Sequence, residues 1–274
     1  MGRGLGKLPM GWETGNVVVG WYHPFGVTRY WIGYLKKNIM SQYIYKYPQE
    51  LVRGRLIRRY KRFLADVELE GGEKVTAHCT NSGSMKSALE EGAEVAISPV
   101  SDPKRKTRFT WEMIKISGNW VGINTNIPNI LGALAMEKNL LEPLQGYSEI
   151  RREVKFLDSR FDVFGKKGEE ECFVEAKNVS LNEDGIAMFP DAVTTRGQKH
   201  LDTLVKVVES GKRAVMLYVI QRTDVNAFAP ATHIDPAYAE KLHRAEEKGV
   251  EVIPWQLRPH PNGYQSQGIL RRTN

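Results

Sequence analysis

Cysteine is scarce in this sequence: 274 residues carry only Cys79 and Cys172. At most one disulfide is available, so no cysteine framework holds the chain together, and a reducing compartment, the cytoplasm, is the expected location. Long apolar runs are lacking as well. None approaches the length that spans a bilayer. The N-terminal Met1-Gly-Arg-Gly-Leu-Gly-Lys has no apolar signal core, and Asn16 to Tyr22 is too short to supply one. The six histidines are scattered, without the His/Cys spacing of a zinc site. There is no nucleophile elbow, and Gly2 to Gly6 follows no strand, which excludes a phosphate-binding loop. Internal repeats and low-complexity segments are missing too.

What is present is the composition of a globular protein, 41% apolar and 26% charged, with length enough for two domains. The net charge of +7 is unevenly placed. Residues 1–120 hold 19 Lys+Arg against 11 Asp+Glu, whereas residues 121–274 hold 20 against 21. A basic front half suits approach to a polyanion, although ordinary solubility charge would give the same count.

The first 39 residues, rich in Gly, Trp and Tyr, show neither helical nor alternating periodicity. The sequence makes a fresh start at Met40-Ser-Gln-Tyr-Ile-Tyr-Lys-Tyr-Pro, so Met40 is the expected initiator and residues 1–39 an extension. From Arg53 the chain turns strand-like. Arg53 to Tyr60, Phe63 to Leu69, Lys74 to Thr80, Glu94 to Val100, Arg108 to Ile116 and Trp120 to Ile123 are short β-branched or aromatic runs broken by turn residues. They predict a small β-barrel over residues 40–125, with Ser84 to Glu91 as a short helix within it. A helix from about Asn126 to Leu141 forms a connection over residues 126–146, closed by Pro143 and Gly146.

A mixed α/β pattern follows over residues 147–274. Strands are expected at Ser159 to Phe164, Cys172 to Val179, Ile186 to Phe189, Arg213 to Ile220 and Val250 to Leu257. Helices are expected at Thr194 to Ser210 and Pro236 to Lys248. Arg213 to Ile220 is almost wholly apolar, as a buried central strand would be.

The most informative stretch is Arg160-Phe-Asp-Val-Phe, a polar turn, then Cys172-Phe-Val-Glu-Ala-Lys-Asn-Val. A hairpin centred near Gly168 sets Asp162 opposite Glu175 to within one residue. Strand alternation puts Glu175 and Lys177 on one face, with Val174 and Ala176 turned to a core. Two carboxylates alone would repel. A divalent cation removes the conflict, and hard oxygens suit Mg²⁺ or Mn²⁺. Lys177 beside them would orient a water or stabilise charge on a pentacovalent phosphate. The bland alternative is a surface hairpin whose charges are solvated.

The barrel segment carries a second signal. Arg55, Arg58, Lys61 and Arg62 are interleaved with Leu56, Ile57, Tyr60 and Phe63, and Lys104-Arg105-Lys106 precedes Phe109 and Trp111. Cations meet phosphates while aromatics stack on bases. The alternative is that Tyr60, Phe63 and Trp111 fill the barrel. Asn81-Ser-Gly-Ser offers donors either to phosphate or to its own turn.

The order Asp…Glu-x-Lys on adjacent strands, then a helix, is similar to the PD-(D/E)XK nuclease superfamily. Several blocks resemble the sugar fermentation stimulation protein (SfsA) family more closely. They are Arg58-Arg-Tyr-Lys-Arg-Phe-Leu-Ala-Asp-Val67, Asn81-Ser-Gly-Ser-Met85, Trp111-Glu, Glu153-Val-Lys, Ser159-Arg-Phe-Asp162, Val174-Glu-Ala-Lys-Asn-Val179 and Phe189-Pro-Asp-Ala-Val-Thr-Thr-Arg-Gly-Gln-Lys-His-Leu201. The resemblance covers Arg53 to Trp255 in order, with Ala176 and Asn178 where the family pattern has Val and Ser. It implies an OB-type barrel followed by a PD-(D/E)XK nuclease-like domain. It also implies Asp162 and Glu175 as metal ligands, Lys177 as the catalytic lysine and Glu153 as an additional acidic residue. Arg196, Gln198 and Lys199 open the helix after the sheet, where its positive end would receive a phosphate, Gln198 assisting catalysis. The expected partner is nucleic acid, DNA foremost. The function is either Mg²⁺-dependent phosphodiester hydrolysis or DNA binding alone, the latter in regulating sugar-use genes. His200, beside this site, reads as a surface histidine.

Overall fold

The computed structural model describes residues 42–273. The expectations for residues 1–39, and for Met40 as initiator, lie outside the described residues. The barrel is built from β2 (Val52–Tyr60), β3 (Leu64–Leu69), β4 (Lys74–His78), β5 (Glu94–Pro99) and β6 (Phe109–Ile116), with β7 (Asn119–Gly122) added at the side of β6. Antiparallel pairing runs β4-β3-β2-β5-β6, and a parallel contact of Ala77 with Phe109 and His78 with Thr110 joins β4 back to β6. Five strands therefore close on themselves, leaving no free edge between them. Leu56, Val67, Val95, Ile97 and Trp111 fill the interior. Trp111 is fully buried and its indole N–H donates to the Met113 carbonyl at 2.9 Å, so it is a core residue and takes no part in base stacking.

Residues 43–46 fall in the segment 40–125 expected to form the barrel, where no strand was expected before Arg53. They form β1 (Tyr43–Lys46), which pairs with β16 (Gly263–Ile269) at the edge of the second sheet. That sheet adds β8 (Arg151–Phe156), β9 (Ser159–Lys167), β10 (Glu170–Val179), β13 (Arg213–Ile220) and β15 (Glu251–His260), in the order β1-β16-β15-β13-β10-β9-β8. The β10–β13 and β13–β15 pairs are parallel and the rest antiparallel. Residues Ala214 to Ile220 are each fully buried, the expected central strand. A smaller sheet joins β11 (Leu181–Glu183), β12 (Ile186–Phe189), β14 (Ala227–Pro230) and β17 (Arg271–Arg272).

Helix α1 (Ile127–Glu137) packs Leu131 and Ala135 over Val163, Val174, Ala176 and Leu217 on one face of the large sheet. Helices α2 (Thr195–Glu209) and α3 (Pro236–Glu247) cover Phe161, Phe173, Met216 and Tyr218 on the other with Leu201, Leu204, Val207 and Leu242. Each such side chain contributes about 1.5–3 kcal/mol when fully buried. Apolar burial thus fixes β10 from both sides, and the polar residues on it are held by that packing.

The helix expected at Ser84 to Glu91 does not form; the segment runs through turns, with Met85 at φ 56°. Tertiary contacts override its local preference. Ser87 Oγ donates to the Ser180 carbonyl at 3.2 Å and accepts from Asn182 N at 2.9 Å, while Asp191 accepts from Met85 N at 3.1 Å. These contacts bind the barrel to the second unit. At Gly83 an added Cβ would stand 2.3 Å from the Asp191 carboxylate, so a larger residue would have to push Asp191 off Met85 N.

Candidate functional site

The hairpin forms as the sequence implies. Phe173 pairs with Phe164 and Val174 with Val163, a register that, continued by one residue, sets Glu175 opposite Asp162. Both carboxylates reach the floor of a cleft of about 520 Å³ between the barrel and the second unit. Asp162 accepts the Ala176 backbone N–H at 2.8 Å and Asn129 Nδ2 of α1 at 2.7 Å. Glu175 is 2% exposed. Its Oε1 takes Lys177 Nζ at 2.6 Å and also contacts His200 Nδ1. Arg196 Nε lies 3.4 Å from the other imidazole nitrogen of His200, so the tautomer that satisfies both carries its proton on Nδ1 and donates to Glu175.

The two carboxylates are electrostatically unequal. Burial, then the Glu175 charge, push Asp162 up to about 7. Burial works against the Glu175 charge too, but Lys177 and His200 hold its carboxyl below the usual range. Glu175 is thus the more acidic member of the pair, and Asp162 the one that keeps its proton to the higher pH.

The remaining expected residues divide. Arg62 and Arg196 line the cleft with Lys177. Glu153 does not line it, yet it lies 3.4 Å from the same Asn129 amide that binds Asp162, and its charge adds to the upward push on Asp162. Gln198 is not brought to the carboxylates. Its amide donates to Asp235 at 3.0 and 3.2 Å, and Asp235 in turn caps α3 through Tyr238 N at 3.0 Å, so Gln198 ties two helix starts together. Lys199 is paired with Asp158 at 2.8 Å, and Arg58 with Asp66 at 2.9 Å. Arg55 donates to the Gly92 carbonyl, and Lys104, Arg105 and Lys106 sit on the β5–β6 connection away from the cleft. Asn81 holds its own turn, accepting from Gly83 N at 2.9 Å.

The family models decide the relationship. The "SfsA N-terminal OB domain" matches residues 57–123 and the "Sugar fermentation stimulation protein RE domain" matches residues 126–263. The chain belongs to the SfsA family. A sugar fermentation stimulation protein homolog of Geotalea uraniireducens is 48% identical over 224 residues, covering 81% of this chain and 97% of that one. The homolog of Geotalea daltonii is 50% identical over 207 residues, 75% and 90% of the two chains. Among solved structures, Pyrococcus furiosus SfsA in complex with Ca²⁺ superposes with a TM-score of 0.78 at 29% identity, covering 85% of this chain and all of that one. The SfsA fold is accordingly an OB barrel followed by a mixed α/β domain with three helices.

Two residues of this SfsA chain's cleft, His200 and Asn129, escape a reading by motif. His200 is half-buried against Glu175, not at the surface. The signal was its spacing, three residues after buried Gly197 and four before buried Leu204 on one helical stripe. Asn129, on the first turn of α1, has no sequence signature. Arg59 lies within the basic run, but its guanidinium is spent on the carbonyls of Arg62, Asn81 and Gly83.

Glu153 has a backbone cost. It adopts φ 56° within strand β8, a left-handed conformation that disfavours a side chain by about 1–2 kcal/mol. Glu153→Gly is therefore expected to be about 1 kcal/mol more stable than Glu153→Ala, because glycine relieves the strain and alanine retains it. Urea unfolding of the two variants measures this. An alanine variant as stable as the glycine variant would mean that the strand tolerates the conformation freely.

Proposed function

We propose that this SfsA-family chain binds nucleic acid, DNA foremost, and hydrolyses its phosphodiester bonds at the Asp162–Glu175–Lys177 centre with Mg²⁺ or Mn²⁺. The observation that carries the reading is the carboxylate pair on adjoining strands at the floor of a cleft whose walls bear Arg62 and Arg196. The order of these residues is that of the PD-(D/E)XK nucleases.

The residues fit a divalent ion. Two carboxylates with only partial compensation leave Asp162 at about 7, a charge conflict that a hard cation resolves. Asp162 and Glu175 would hold it. The Ca²⁺ found with Pyrococcus furiosus SfsA agrees with a site of this hard-oxygen type. When bound, the ion polarises the phosphate and lowers the pKa of a water.

Everything else falls to the protein. Lys177 is anchored on Glu175, so its ammonium is held beside the carboxylates, where it would stabilise charge developing on the phosphate oxygens. His200 fixes the same carboxylate oxygen, keeping Glu175 in one rotamer. Arg62 and Arg196 receive the flanking phosphates, and Glu153 adds negative charge beside Asp162. Arg55, Arg58, Lys61 and Lys104 to Lys106 extend the backbone contact over the barrel, and Lys199 over the start of α2.

One observation favours the second reading, DNA binding without cleavage in regulating sugar-use genes: among the described residues no group of three His, Cys, Asp or Glu side chains is arranged to hold an ion. Labelled DNA and RNA incubated with Mg²⁺ or Mn²⁺ separate the two. The wild type is expected to cleave, and Glu175→Ala and Lys177→Ala each to cleave about 10²-fold more slowly while still binding. Binding with no cleavage at all would leave the regulator.

A further inference from the structure

Two exposed apolar side chains, one lining the cleft and one next in sequence to a lining residue, are used by neither the fold nor the carboxylate centre. Phe63 is 49% exposed and Val193 68%, two of the five large apolar residues standing out of the described surface. Val193 lines the cleft from the second unit. Phe63 directly follows Arg62, which lines it from the barrel.

The turn bearing Phe63 is built and held. Lys61 and Arg62 take left-handed conformations, φ 50° and 64°. Arg59 donates to the Arg62 carbonyl at 2.9 Å and, with the same nitrogen, to the carbonyls of Asn81 at 2.9 Å and Gly83 at 3.0 Å. Cys79 N donates to the Phe63 carbonyl at 2.8 Å. A guanidinium thus spans the turn and the loop of the cleft wall, and the phenyl ring is presented to solvent from a fixed backbone. Rigid presentation lowers the entropy lost when a partner covers the ring.

We infer that the cleft takes an unpaired nucleotide strand, one base stacking on exposed Phe63 beside Arg62 while the next phosphate enters between Arg62 and Arg196. This rests on the nucleic-acid reading of the same cleft and names the strand form it accepts. In a duplex the faces of the bases are covered by their neighbours, so an aromatic ring finds a free π-face only on an unpaired base. The depth of the site agrees. Glu175 lies at the bottom, 2% exposed, in a space of about 520 Å³, the size of a small-molecule pocket. A space of this size suits one unpaired nucleotide better than a base pair. Arg62 and Arg196 on the walls offer cations to the phosphates, while the carboxylates Asp162 and Glu175 lie at the floor.

The test is fluorescence anisotropy in EDTA, which prevents cleavage, with a short labelled oligonucleotide as a single strand and as a blunt duplex. The wild type is expected to prefer the single strand. Phe63→Ala should weaken single-strand binding by about tenfold and duplex binding by less than about twofold, and Phe63→Trp should restore it. Since Phe63 is exposed, the melting temperature of the alanine variant should match the wild type and show that it is folded. Preference for the duplex, or equal affinities of Phe63→Ala and wild type for the single strand, overturns the inference. Metal-dependent cleavage that persists beside such a result removes this inference alone. Phe63-dependent strand binding with no cleavage in Mg²⁺ or Mn²⁺ removes the hydrolase and leaves the strand preference standing.

Discussion

Arg222→Ala is expected to lower the unfolding free energy by about 3–5 kcal/mol, a loss that urea denaturation would register as a shifted midpoint. Arg222 is 1% exposed. Its guanidinium forms a two-pronged pair with Asp224, both contacts at 2.7 Å, and its remaining nitrogen donates to Ser87 Oγ at 3.1 Å and to the Ser180 carbonyl. Ser87 belongs to the barrel and Ser180 to the second unit, so one side chain closes the joint between them. Alanine would strand the Asp224 carboxylate, which burial destabilises and Arg222 now holds below the usual range, and it would leave the Ser180 carbonyl with the Ser87 hydroxyl as its one remaining side-chain donor. Arg222→Lys keeps the charge but lacks the planar fork, so it should recover only part of the loss. A shift of less than about 1 kcal/mol for the alanine variant would mean that the joint is not secured here.

That joint also marks what the sequence could not disclose. The site hairpin was legible because three independent signals coincide on it: alternation along β10, a polar turn at Gly168, and charged residues placed where a buried strand should be apolar. The central strand Ala214 to Ile220 was legible from its unbroken apolarity. Strand β8 was not, because Arg151 to Phe156 lies at a sheet edge with mostly exposed side chains and shows no hydrophobic period. Strand β1 is four residues long and pairs with a partner more than two hundred residues away, a contact that no local pattern encodes. The missing helix at Ser84 to Glu91 has the same cause, since Ser87 and Met85 answer to Ser180, Asn182 and Asp191 and not to their neighbours. Of the site residues, Asp162, Glu175 and Lys177 were found through spacing on one hairpin. Asn129 and His200 come from helices on opposite faces of the sheet, so only packing unites them with it.

The second large effect concerns pH. Without a divalent ion, the stability of the protein is expected to fall as pH rises from about 4 to about 7, by as much as about 4 kcal/mol from Asp162 alone. The folded state holds the Asp162 proton up to about 7, whereas the unfolded chain sheds it near its ordinary value of 3.8. Between those values the folded state binds the extra proton, so each rise in pH favours unfolding, by about 1.4 kcal/mol per pH unit. Below the window both states are protonated, and above it both are ionised, so the contribution is level at either end. Asp162→Asn should flatten this component, and the difference between the two pH–stability curves isolates it from every other titrating group. The same linkage runs through the metal. A cation bound at Asp162 must displace the proton, so titration with Mn²⁺ should release about one proton at pH 6 and almost none at pH 8, read by calorimetry in buffers of different ionisation enthalpy. Parallel stability curves for wild type and Asp162→Asn would mean that Asp162 is already ionised in the folded protein. The carboxylate pair would then carry two fixed charges, and the exchange of proton for cation would have no place at this site.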